Sequence, residues 1–332
     1  MFNMSIEAID IHEDGIPKKV LDILLKDNTT QKNIFWGTTD YEHYGDGYGE
    51  YDEITYEKIC DNTKIVPRVL KNRSQQNARS KDMAEVFTPS WVCNAQNNLV
   101  DNAWFGREGV FNTEMIVDGT HTWEPTDTPI VFPEGKTWRD YVRDNRMEIT
   151  CGEAPYLTSR YDTTTGESIP INRRIGLLDR KLRVINENAS TRKEWLFWAR
   201  VAYMSTYGYE WQGDNLLLAR EALYYTFIDN FIHKFKDKPS LDSMEIIADI
   251  ISWNLWQMDG IKGVVPNSCH TNTFVQKGTF GKDKVIKRGC DGCNKNNIYM
   301  HNGIYCKIKD WSSCKNKKKG EGEVIEYIDR KR

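Results

Sequence analysis

Glu148-Ile-Thr-Cys-Gly-Glu-Ala-Pro-Tyr-Leu157 is the stretch on which the fold turns. Its first residues extend Met147-Glu-Ile-Thr150, which reads as the end of a β-strand, and Cys151-Gly-Glu-Ala154 is a turn of small residues. A small-residue turn after a strand lets backbone approach a ligand, and in an α/β sheet ligands sit beyond the carboxyl ends of the strands. A nucleoside site of this kind also needs an acid at a second strand end to accept ribose hydroxyl hydrogens, and commonly a base contact from a third. Both follow in order: Tyr207-Gly-Tyr-Glu-Trp211 reads as a strand bearing Glu210, and Ser252-Trp-Asn-Leu-Trp-Gln-Met-Asp-Gly260 as one ending in Asp259. Helical spacing fills the intervals. Arg192 to Met204 sets Trp195, Leu196, Ala199, Ala202 and Tyr203 on one face, and Asn215 to Phe235 offers Leu216, Leu217, Ala219, Leu223, Phe227 and Phe231 to a core. Asp242-Ser-Met-Glu245 resembles a capping box that opens a helix running to about Ile251. Strands alternating with helices, with functional residues at strand ends, predict an α/β fold with a doubly wound, Rossmann-like sheet.

Upstream, residues 1–70 read as an N-terminal α/β extension. Lys19-Val-Leu-Asp-Ile-Leu-Leu25 is spaced as a short amphipathic helix and Asn33-Ile-Phe-Trp36 as a short strand. The acidic, Tyr- and Gly-rich run Asp40 to Glu53 has turn chemistry; a nuclease built on its carboxylates is a third reading beside a polar loop. Residues 71–80 are polar and partly basic, and lead into Ala84-Glu-Val-Phe-Thr-Pro-Ser-Trp91. Residues 108–140 are rich in Gly, Pro, Thr and Asp and read as irregular, with Pro125, Pro129 and Pro133 opposing a long helix.

Taken together, these motifs resemble the S-adenosylmethionine-dependent DNA (adenine-N6) methyltransferases of restriction–modification systems, especially their modification subunits. Val86-Phe-Thr-Pro89 is similar to the family's early Phe-Thr-Pro segment, Glu148 to Leu157 to its Glu-Pro-Ala-Cys-Gly-Ser-Gly-Pro-Phe-Leu loop, and Gly208-Tyr-Glu210 with Leu218-Ala-Arg220 to its second-acid segment and helix. The resemblance covers Lys71 to Gly263. It implies that Phe87, Thr88 and Pro89 cover the methionine moiety of S-adenosylmethionine, that Cys151, Gly152 and Glu153 approach its amino-acid end, and that Glu210 holds the ribose. Trp211 would lie against the adenine and Asp259 would bind its amino group. The activity implied is methylation of an exocyclic base amine on DNA, with a specificity or restriction subunit as partner. Two departures stand against it. Ala154 replaces the second Gly of the loop. The Asn/Asp/Ser-Pro-Pro-Tyr/Phe segment that holds a flipped base does not follow Asp259, where Val265-Pro-Asn-Ser268 has the wrong order. The catalytic residues are therefore unassigned, and a non-catalytic, cofactor-binding and DNA-binding scaffold subunit stands as the alternative to the enzyme.

The domain division expected is an extension over 1–70, a methyltransferase-like domain over 71–265 and a Cys/Lys-rich segment over 266–332. Net charge over all 332 residues is −3, which excludes a generally basic nucleic-acid binder, yet Gly281 to Gly320 carries eleven Lys/Arg against Asp283, Asp291 and Asp310. Such a basic stretch is a footprint for phosphates, and equally a solvated surface. The same segment holds Cys290-Asp-Gly-Cys293 followed by His301 and Cys306, a set suited to zinc, with Cys314 and Cys269-His270 as further candidates. Met1 to Glu13 has no signal-peptide pattern and no long apolar run occurs, so a cytoplasmic, non-membrane protein with reduced cysteines is expected.

Overall fold

The computed structural model describes residues 16–60, 64–83, 85–86, 88–277, 284–312 and 322–331. The chain enters through α1 (Lys18–Leu25), whose Val20, Leu21, Leu24 and Leu25 are buried. The expected strand Asn33–Trp36 makes only isolated bridges, from Asn33 to Lys26 and from Phe35 to Glu53. At Phe35 a side chain does the pairing: the Gln257 amide accepts from Phe35 N at 3.0 Å and donates to Phe35 O at 2.9 Å. Helices α2 (Tyr56–Ile59), α3 (Arg73–Met83) and α4 (Ser90–Phe105) follow.

Residues expected to be irregular contain an antiparallel hairpin, β1 (Asn112–Val117) and β2 (Thr120–Pro125). Its turn is Asp118-Gly119, both left-handed at φ 50° and 78°, which suits the right-handed twist of a two-residue hairpin. Trp123 anchors it against Cys93, Ile169 and Ile175 in a small apolar cluster.

From α5 (Trp138–Arg143), capped by a Thr137–Asp140 box, the chain enters β3 (Arg146–Glu148). Helices α6 (Leu177–Asn188) and α7 (Arg192–Met204) lead to β4 (Thr206–Glu210). Then α8 (Gly213–Phe235) and α9 (Leu241–Asn254) lead to β5 (Leu255–Gln257). The cap of α9 is Ser240, which accepts from Ser243 N, and not the expected Asp242. The helix also takes in Ser252 to Asn254, residues that the sequence places in the strand.

β3, β4 and β5 form a parallel sheet in that order, with Glu148 beside Gly208 and Glu210 beside Gln257. The fold is mixed α/β with ten α-helices and small sheets among the described residues. The doubly wound sheet expected from the sequence is represented by these three strands alone. No strand lies on the free edge of β3 among the described residues, so the sheet has no point where strand order reverses.

After β5 come the hairpin β6 (Asn272–Gln276) and β7 (Lys284–Arg288), helix α10 (Asp291–Lys295), and the hairpin β8 (Lys307–Asp310) and β9 (Glu323–Glu326). Cys306, Ile308, Trp311, Tyr327 and Ile328 join the same core cluster as the sheet, and Trp311 Nε1 donates to Asn254 Oδ1 at 2.7 Å. No described helix is long and apolar enough to cross a membrane.

Candidate functional site

Beyond the carboxyl ends of β3 and β4 lies a cavity of about 1020 Å³ lined by Glu148 to Glu153, Glu210 and Trp211, with Thr38, Glu85, Thr88, Asn97 and Tyr156 among its other walls. Its floor is the loop after β3, in which Thr150, Gly152 and Ala154 are all left-handed, at φ 47°, 53° and 61°. Every second residue turning left winds the loop tightly over the strand end. Cys151 N donates to Tyr209 O at 2.9 Å and Ala154 N to Cys151 O at 2.7 Å, so the loop is fixed by backbone bonds. A Cβ on Gly152 would meet nothing within 4 Å, which leaves its backbone open to a ligand.

Glu210 is the hinge between the two strand ends. Its Oε2 accepts from Gly152 N at 2.8 Å, and its Oε1 from Trp211 N at 2.9 Å and Gln212 N at 3.2 Å. A carboxylate offers about four acceptor sites, so one remains for a hydroxyl unless the Gly152 bond opens. Glu148 accepts from Leu157 N at 3.2 Å, and Glu153 from Arg68 N at 2.7 Å and Tyr161 Oη at 2.5 Å. Burial raises the pKa of all three carboxyls, and that of Glu148 most strongly. Burial also pushes the Cys151 thiol well up, which favours its protonated form.

One wall of the cavity is braced by a buried ion network that the sequence reading missed. Arg79 Nη1 donates to Asp214 Oδ2 at 2.8 Å, its Nε to Glu85 Oε2 at 2.6 Å, and its Nη2 to Gln212 Oε1 at 2.7 Å. Lys71 Nζ lies 3.2 Å from Asp214 Oδ2 and Tyr41 Oη donates to the same oxygen at 2.8 Å. Burial alone would raise the Asp214 carboxyl, but the Arg79 guanidinium and Lys71 ammonium hold it well below the usual carboxylate range. The network locks α3 to the start of α8, beside Glu85 and Gln212 of the cavity wall. Charge pairing between residues 135 positions apart leaves no local signal in a sequence.

The expected cofactor residues divide. Thr88, Cys151, Gly152, Glu153, Glu210 and Trp211 line the cavity, whereas Pro89 precedes α4 without lining it. Phe87 lies outside the described residues. Asp259 is not in the lining of this cavity; its Oδ1 accepts from Ile261 N and Lys262 N at 3.1 Å and its Oδ2 pairs with Lys262 Nζ at 2.9 Å. Arg220, in the Leu-Ala-Arg segment, is buried and donates to the carbonyls of Leu24, Lys26, Ser252 and Leu255, which makes it a structural staple.

A second constellation lies in the C-terminal part. Cys269, Cys290, Cys293 and His301 bring their ligand atoms within 4.8 Å of one another, a group that can hold a metal ion. Here the sequence-based set needs correction. Cys306, just before β8, is fully buried in the central core and donates to Gln257 O at 3.4 Å; Cys269 takes its place. Cys314 lies outside the described residues. Comparison with family models, curated proteins and solved structures returns no match.

Proposed function

We propose that the cavity beyond β3 and β4 binds S-adenosylmethionine, and that the chain is a DNA methyltransferase-like protein of a restriction–modification or phage-defence type system. The observation that carries this reading is the pairing of Glu210 with the Gly152 loop. It sets a buried carboxylate and an unobstructed glycine backbone side by side at adjacent parallel strand ends. A nucleoside with a charged amino-acid tail uses those two features: a hydroxyl acceptor and a close backbone approach. The half-buried Trp211 offers an aromatic face at the same mouth, and the volume suits a ligand of that size. Cys151, Gly152 and Glu153 would lie at the amino-acid end, with Thr88 across the cavity. The order β3-β4-β5 is compatible with one half of a Rossmann-like sheet.

DNA as the partner is supported by the ribbon β6–β7, where Lys277, Lys284 and Lys287 are exposed along with Phe274, while Arg288 at its base is paired with Asp291. Cations contact phosphates and an aromatic ring stacks on bases.

A specific observation favours the non-catalytic scaffold as second reading. After Asp259, where a base-holding segment would follow, Val264 and Val265 pair with Tyr305 and Ile304, so this stretch is engaged by the chain's own C-terminal part. Calorimetry with S-adenosylmethionine tests the shared premise: binding is expected, and Glu210→Ala should abolish it. No binding to the intact chain overturns both readings. Transfer of a radiolabelled methyl group to mixed-sequence DNA then separates them, with transfer marking the enzyme and silence despite binding marking the scaffold.

A further inference from the structure

Cys269 and Cys290 stand at the two feet of the ribbon β6–β7, three residues before Asn272 and two after Arg288. Among the described residues, the ribbon buries no apolar side chain of its own. Phe274, Val275, Val285 and Ile286 are exposed, as is nearly every strand position. An isolated two-stranded hairpin is marginal in water, so something other than core packing must hold its base.

We propose that Cys269, Cys290, Cys293 and His301 bind one zinc ion through three Sγ atoms and Nδ1, and that this ion clasps the ribbon shut at its base. The distances fit a shared central ion. Zn–S bonds of about 2.3 Å and Zn–N bonds of about 2.0–2.1 Å in a tetrahedron place S and N about 3.6 Å apart. His301 Nδ1 lies 3.5 Å from Cys269 Sγ, 3.5 Å from Cys290 Sγ and 3.7 Å from Cys293 Sγ. Hydrogen bonding alone does not account for this, since one ring nitrogen donates a single proton. Thiolate and imidazole ligands select zinc over hard cations, and four protein ligands close the tetrahedron, which marks a structural rather than a catalytic centre.

The surroundings are shaped for the same end. Asn302 N donates to Cys290 Sγ at 3.3 Å, a bond that stabilises a coordinating thiolate. A Cβ on Gly292 would come within 2.6 Å of His301 Nδ1, and one on Gly303 within 3.1 Å of Cys269 Sγ. Glycine at both positions lets the ligands converge. The Cys290-x2-Cys293 pair flanks the first turn of α10, and His301 returns from the far side.

Metal analysis of the purified full-length chain tests the clasp. About one zinc per chain is expected, lost in Cys290→Ser and Cys293→Ser and kept in Cys306→Ser. Zinc-free wild type after growth with zinc, or zinc retained in Cys293→Ser, overturns the proposal. Should the serine variants fail to fold, cobalt replacement in the wild-type chain gives an independent reading. Intense sulfur-to-cobalt charge transfer with a tetrahedral visible spectrum is expected, and a pale octahedral spectrum refutes the site. Chelation should also raise amide exchange in β6 and β7 while leaving β3 and β4 protected; equal exchange before and after would mean that the metal does not clasp the ribbon.

Discussion

The cavity and the cysteine cluster are built on opposite terms. Every position of β4 is buried, the loop over it is tied down by backbone bonds, and Glu210 is satisfied by three N–H groups of the chain itself. Its shape therefore stands on hydrophobic burial and needs no ligand. The cluster has Cys293 exposed, Cys269 and His301 half-exposed, and a ribbon whose described strand positions are nearly all exposed. Three thiols and an imidazole drawn this close gain little unless a cation joins them. The lesson is that a site inherits its rigidity either from the core under it or from what it binds, and the two kinds should respond differently to the same perturbations.

The largest difference is expected from the ion network under the cavity wall. Removing one partner of a buried pair strands a charge, at a cost of about 3–5 kcal/mol. Asp214→Ala leaves Arg79 and Lys71 without their shared carboxylate and should lower global stability by that amount in urea unfolding. Its metal content at equilibrium should match the wild type under folding conditions. A loss below about 1 kcal/mol would show that Glu85 and Asp40, which also contact Arg79, suffice as partners. Loss of metal from a folded Asp214→Ala chain would break the comparison itself.

A smaller effect, opposite in sign at two carboxyls, should appear with pH. Asp214 is held below its ordinary value of 3.8, so its contribution is complete above that value and is lost as pH falls through the depressed folded one. Glu148 is raised above its ordinary 4.5 by burial first of all, so it weakens the fold as pH rises from 4.5 through the raised folded value. Asp214→Asn should therefore destabilise at neutral pH and approach wild type in strong acid. Glu148→Gln should stabilise at neutral pH and approach wild type below pH 4.5, since the Gln carbonyl still accepts from Leu157 N. Urea midpoints measured across pH decide this; parallel curves for wild type and Glu148→Gln would mean that the buried carboxyl does not titrate in this range.

What was legible in the sequence follows the same division. Arg192 to Met204 was read to the residue and β4 nearly so, because a periodic apolar face is a local signal. The placement of Glu210 and the Gly152 loop at adjacent strand ends was legible because a strand followed by a small-residue turn or an acid is a local pattern too. The hairpin β1–β2 was missed although Asp118-Gly119 announces it; the surrounding Pro and Thr residues obscured the alternation. Asn33–Trp36 looks like a strand, but it makes only isolated backbone bridges and at Phe35 pairs with the side chain of Gln257, which no pattern reveals. Asp259 stands outside the cavity lining and serves its own turn, a use that an acid after a strand has as readily as holding a ligand. The exchange of Cys306 for Cys269 turned on which cysteine the core would swallow, a tertiary matter.

The smallest effect concerns the loop's departure from glycine at Ala154. A left-handed alanine costs about 1–2 kcal/mol relative to an unstrained residue, and Ala154 holds φ 61° while fully buried. Its methyl returns about 0.8 kcal/mol by burial, and alanine restricts the unfolded chain by a further 0.4–1 kcal/mol, approximately, relative to glycine. Those contributions nearly cancel, so Ala154→Gly should change stability by less than about 1 kcal/mol. The bonds from Ala154 N to Cys151 O and from Leu157 N and Thr158 N to Ala154 O involve backbone alone and survive the change. A loss above about 2 kcal/mol in urea unfolding would instead have the range of a core truncation, making the methyl a packing element. The cavity would then owe its loop to side-chain packing more than to backbone bonds, and the contrast with the ligand-held cluster would sharpen further.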